Sequence, residues 1–123
     1  MILRLPFPDA ALFPNRKNGK HWSASQPAKV AAREYGYFAA KQAMAGFSVA
    51  DGQIPLSIVF APPDARKRDL DNMLAAMKPA LDGIAAALGV DDSRFRPVTI
   101  DVGDVGKPGA VIVAVGVEMV GAA

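Results

Sequence analysis

Residues 70–89 read LDNMLAAMKPALDGIAAALG, and this stretch decides the fold. Leu70, Met73, Met77, Leu81, Ile84 and Leu88 recur at spacings of three and four, which predicts an amphipathic helix over 71–88. Gly89 is suited to the left-handed residue that ends a helix. Pro79 lies inside the pattern. It lacks an N–H and its ring crowds the preceding turn, so it should kink the helix or divide it near Lys78.

Upstream, residues 54–61 (IPLSIVFA) read as a β-strand closed by Pro62 and Pro63. Residues 27–45 are rich in Ala and Lys and predict another helix, with Ser25 as a plausible N-cap, Pro27 in the first turn and Gly36 as a weak point. Residues 2–8 alternate weakly and predict a first strand. Residues 9–26 hold Pro14, Asn15, Asn18 and Gly19 and read as a long basic loop. Residues 98–102 and 111–117 predict two closing strands joined by a Gly/Pro turn. The expected order is β-α-β-α-β-β: a single α+β domain over 1–123, with a mixed sheet of about four strands and two main helices. A chain of 123 residues suffices for one such domain and argues against two.

Composition removes several chemistries. There is no cysteine, so disulfides, thiol catalysis and thiolate zinc sites are excluded. The only histidine is His21, which makes a His-rich metal site or a Ser-His-Asp triad improbable. Any metal would therefore rest on carboxylates, the ligands of hard cations such as Mg²⁺ or Mn²⁺. Residues 1–8 are too short for a signal peptide, and the apolar stretch 110–123 is interrupted by Glu118 and two glycines. A cytoplasmic location with no membrane partner is expected.

The net charge of +2 conceals an asymmetry. Residues 1–68 carry ten Lys or Arg against four acids, whereas residues 69–123 carry four against eight. A basic portion of this kind points to a polyanion, although solvated faces account for it equally well. The junction of the two portions is Asp64-Ala-Arg66-Lys67-Arg68-Asp69-Leu-Asp71-Asn72. Extended backbone would put Asp69 and Asp71 on one side, where their repulsion calls for a cation. The same residues also read as a capping pair at a helix start. Asp71, Lys78 and Asp82 share a helical face, either over a metal–phosphate site or as a surface ion pair. Asp91-Asp92 follows the helix, and a polar turn is its plainest explanation. A helix of this length, about 27 Å, brings Asp92 near Asp69 only if the chain folds back.

Arg68-Asp69-Leu70-Asp71-Asn72, Lys78-x-x-x-Asp82 and Asp91-Asp92 together resemble the RusA family of Holliday junction resolvases. The first strand ending in Pro and the basic loop from Pro14 to Ser23 extend the likeness over most of the chain. The resemblance implies a RusA-like nuclease domain, a Mg²⁺-dependent endonuclease that resolves four-way DNA in recombination and repair by paired nicks leaving a 5′-phosphate. Its metal-binding carboxylates would be Asp69, Asp71 and Asp92, with Asp91 the alternative to Asp92, and its catalytic lysine would be Lys78. In the best-known form of the motif the lysine comes one turn sooner, where this chain has Ala75. DNA would be gripped by Arg16, Lys17, Lys20, His21, Trp22, Arg66, Lys67 and Arg68. Symmetric cutting implies a homodimer, with the C-terminal strand or the first helix as interface. The alternatives are a nuclease for other branched DNA and a non-catalytic DNA-binding module of the same fold.

Overall fold

The computed structural model describes residues 1–14, 25–49 and 51–116. Its elements run β1 (Ile2–Leu5), α1 (Gln26–Ala43), β2 (Ile54–Ala61), α2 (Leu70–Ala76), α3 (Lys78–Leu88), β3 (Phe95–Val102) and β4 (Ala110–Val115). Short 3₁₀ turns lie at Ala10–Leu12 and Asp92–Arg94. The four strands form one mixed sheet in the order β1-β4-β2-β3. β4 is antiparallel to both β1 and β2, and β2 is parallel to β3. This is the expected α+β domain, with the second helix divided into two.

The division falls where Pro79 requires it, between Ala76 and Lys78. α2 and α3 then form the crossover between the parallel strands β2 and β3, as a parallel pair requires. α3 ends at Gly89, which adopts the left-handed conformation at φ 71°. In β2, Ile54, Leu56, Ile58 and Phe60 alternate onto the core. Ser57 is also buried, and Thr99 Oγ1 donates to its hydroxyl at 2.9 Å. Met73, Met77, Ala80 and Ile84 cover the sheet from the helices.

α1 and α3 pack backbone to backbone. A Cβ added to Gly36 would lie 2.3 Å from the carbonyl oxygen of Ala80, and one added to Gly83 would lie 2.0 Å from that of Arg33. Glycine is required at both positions for this approach.

Several expectations change. β1 ends at Leu5, since Pro6 and Pro8 cannot donate to a ladder. β3 begins at Phe95, three residues earlier than its apolar run. β4 stands inside the sheet with nearly every side chain buried, so it is core and not the proposed dimer interface. Leu70 begins the apolar stripe in sequence yet is exposed at the head of α2. Among the described residues, no helix is long and apolar enough to cross a membrane.

Candidate active site

The approach to α2 is built around Asp64. Its carboxylate accepts a hydrogen bond from the backbone N–H of Arg66 at 3.0 Å and pairs with the Arg68 guanidinium at 3.0 Å. These contacts, the Arg66 N–H foremost, hold the carboxyl below its ordinary range. Arg68 also donates to the carbonyls of Asp64 and Arg66, at 3.2 and 3.1 Å, and lies 5.1 Å from the centre of the Phe7 ring. Its guanidinium thus organises the loop and is turned away from solvent. Arg68 nevertheless lines the same groove as Arg66 and Lys67. Arg66 and Lys67 are the exposed cations of the trio.

Asp69 stands at the N-cap of α2 in extended conformation, and Asp71 lies in the first helical turn. The two are therefore not consecutive same-side residues of one extended segment. The side chain of Asp69 makes no capping hydrogen bond. Its nearest partner is Asn72, whose amide donates to it at 3.4 Å. Asp71 is exposed. Asp69 thus closes no cap with its side chain, while Asp71 suits the positive end of the helix without being buried by it. Beside them a groove of about 620 Å³ runs between Phe7 and Phe13 on one side and Arg66, Lys67, Arg68, Asp69 and Asn72 on the other.

Lys78 begins α3. Its ammonium donates to Asp82 at 2.8 Å, one turn along the helix, and to Asp92, fourteen positions along the chain. The contact with Asp92 exists because the chain reverses after Gly89. Asp91 stabilises the turn that follows, accepting from the backbone N–H of Ser93 at 2.8 Å. The adjacent acids therefore have separate tasks: Asp91 caps, and Asp92 faces Lys78. Asp82, then Asp92, raises the lysine well above its ordinary value. The bond from Lys78, with Asp82 beside it, lowers Asp92. All three side chains remain open to solvent.

The structure thus joins Lys78, Asp82 and Asp92, and holds Asp69 and Asp71 at the other end of α2. Among the described residues no three acidic or histidine side chains form one metal cage. Arg16, Lys17, Lys20, His21 and Trp22 lie outside the described residues. A second groove, of about 380 Å³, has Lys29 and Arg33 from α1 in its walls together with Lys78 and Asp82. Sequence reasoning passed over these two cations. Their i, i+4 spacing placed them on one helical face, but nothing local connected that face to Lys78.

The sequence matches no family model. Over 115 residues it is 39% identical to an uncharacterized protein of Xylella fastidiosa (strain Temecula1), a match covering 92% of this chain and 74% of that protein.

Proposed function

The chain belongs to the same family as the uncharacterized Xylella fastidiosa protein, and from the site it carries we propose that it is a Mg²⁺-dependent endodeoxyribonuclease of the RusA type that cuts four-way DNA junctions. The observation that carries this reading is the return of the chain after α3. It delivers Asp92 to Lys78, the first residue of α3, which follows directly on α2, the helix headed by Asp69 and Asp71. Four residues of the motif thereby lie on α2, α3 and the return after α3, with the exposed cations Arg66 and Lys67 before α2.

The donor set fits the ion. Mg²⁺ prefers oxygen ligands, keeps several waters, and is commonly held by one or two carboxylates together with substrate phosphates. Asp69 and Asp71 are exposed carboxylates, and they are the residues that would hold it; Asp92, which the resemblance adds as a third ligand, is instead paired with Lys78. Mn²⁺ suits the same donors. When bound, the ion supplies Lewis acidity, lowering the pKa of water and offsetting charge on the phosphoryl oxygens.

The chain's own groups do the rest. Arg66 and Lys67 attract and position the phosphate backbone, a term that weakens with salt. Lys78 remains protonated across the physiological range, so it meets the negative charge that develops on the phosphate as a full cation. Asp82 and Asp92 orient its ammonium. In hydrolysis the oxygen of water bonds to phosphorus and the P–O3′ bond breaks. The leaving oxygen takes a proton to become a 3′-hydroxyl, and the phosphate stays on the 5′ side.

The test is cleavage of a synthetic four-way junction with and without Mg²⁺, beside a linear duplex of the same sequence. Metal-dependent nicks confined to the junction are expected. Cutting of flaps or forks in preference to junctions would change the substrate, and a lack of metal-dependent nicking on every branched substrate would overturn the nuclease reading. Asp71→Asn should abolish cutting while junction binding persists. Loss of binding as well would make Asp71 a structural residue.

A further inference from the structure

We infer that Lys29 and Arg33 of α1 form a second phosphodiester handhold, so that a DNA strand held by Arg66 and Lys67 passes the carboxylates and Lys78 and continues along α1. This rests on the nuclease reading and extends it to residues outside the motif.

Three observations support the handhold. Lys29 and Arg33 are four positions apart on one helical face and exposed, and among the described residues neither pairs with an acid. Asp82, the acid in the same groove, is engaged by Lys78. The groove itself joins the two elements, for its walls contain Lys29 and Arg33 from α1 and Lys78 and Asp82 from α3. Finally, the placement is rigid. Gly83 lies directly against the carbonyl of Arg33, and Gly36 against that of Ala80, so the distance from the α1 cations to Lys78 is set by backbone contact.

Geometry then gives the path. α2 is seven residues long, about 10 Å at 1.5 Å per residue. That equals about three nucleotide steps at 3.4 Å each along a duplex strand. Arg66 and Lys67 precede its first turn, and the groove with Lys29 and Arg33 adjoins its far end. Cations thus stand at both ends of the acidic segment. Such an arrangement holds a strand across the acids, which a single basic patch on one side would not do against carboxylate–phosphate repulsion.

The experiment compares junction binding by wild type, Lys29→Ala/Arg33→Ala and a charge-matched control, Arg4→Ala/Lys41→Ala, in buffer without Mg²⁺ over a range of salt. Lys41 lies twelve positions from Lys29, about 18 Å along α1. The first variant should bind roughly tenfold more weakly at low salt, and its log–log salt slope should fall by about 1.8, the value for two lost phosphate contacts. The control should keep the wild-type slope. Thermal unfolding should be the same for wild type and the first variant, whose replaced side chains are exposed; the control also loses the Lys41 ammonium 5.6 Å from the centre of the Tyr37 ring, so its binding is compared at a temperature where it is folded. Unchanged binding by the first variant, or an equal loss in the control, overturns the handhold. Wild-type cleavage in Mg²⁺ is measured in parallel. Cutting by wild type with unchanged binding by the variant refutes the handhold alone. A lowered slope in the variant with no cutting by wild type refutes the nuclease reading alone. Failure of wild type to bind DNA refutes both.

Discussion

Asp91 and Asp92 are neighbours of identical chemistry with opposite consequences. Asp91 accepts from the N–H of Ser93 and closes a turn, while Asp92 accepts from Lys78. Asp91→Ala should therefore cost stability, about 1 kcal/mol as for other lost Asp caps, with cutting per folded molecule little changed. Asp92→Asn should do the reverse, leaving the melting temperature near wild type and removing cutting. Chemical denaturation and junction cleavage on both variants check this, and a common response would show that the two share one role. The residues alone did not divide the pair, because two adjacent acids after a helix offer no clue to which one caps; only the resemblance put Asp92 before Asp91. Arg68 was hidden for a similar reason. In a run of three cations, only the fold reveals that one guanidinium is bound to Asp64 and stacked over Phe7. That contact also gives a pH dependence. Asp64 is depressed below its ordinary value of 3.8, chiefly by the Arg66 N–H. A depressed carboxyl contributes stability above its unfolded value, and the contribution disappears as pH falls through the folded value. The carboxylate's contribution should therefore be full at neutral pH and fade in acid below the ordinary carboxyl range, while the Arg68 bonds to the Asp64 and Arg66 carbonyls remain. In a carboxyl-carbon NMR titration, Asp64 should titrate below 3.8, and Arg68→Ala should move the midpoint upward.

Among the elements, those governed by local pattern were legible. β2 occupies 54–61 as its β-branched run predicts, and Pro79 divides the helix at the expected place. Sheet order was not legible. The apolar residues of β4 suit either a central strand or an exposed interface, and pairing with both β1 and β2 decides for the first. Gly36 was read as a weakness in α1, because glycine lowers helix propensity. Its value appears only when α3 is present, since the two helices meet where side chains would prevent contact. Gly83→Ala puts a Cβ 2.0 Å from the Arg33 carbonyl, and backbone must move to accept it. We expect destabilisation at or above the 1–3 kcal/mol typical of overpacked cores. Gly36→Ala should behave alike, with its Cβ 2.3 Å from the Ala80 carbonyl. Gly106→Ala is the control, for a Cβ there meets nothing within 4 Å and the residue is not in the left-handed region. Denaturant midpoints compare the three. Equal midpoints for Gly83→Ala and wild type would mean that α1 and α3 separate at little cost, and would loosen the placement of Arg33 beside Lys78.

For the whole molecule, the charge asymmetry acquires a geometry. The excess of bases in the first 68 residues includes Lys29 and Arg33 on α1 and Arg66 and Lys67 before α2. The proposed acidic ligands belong to the remainder, and the fold sets them between those cations. One chain carries one such arrangement. A four-way junction has near two-fold symmetry, and paired nicks require two active sites in matching orientation. The proposed activity thus predicts that the cutting species contains two copies of this 12.9 kDa chain. Sedimentation at cutting concentrations should give twice that mass. Mixing wild type with Asp71→Asn should then produce junctions nicked in one strand, because a mixed dimer has one competent site. The share of singly nicked product should pass through a maximum when the two proteins are equal in amount. A monomer mass together with paired nicks, or a mixture whose singly nicked fraction never exceeds that of wild type alone, would show that the two cuts are not made by two joined copies.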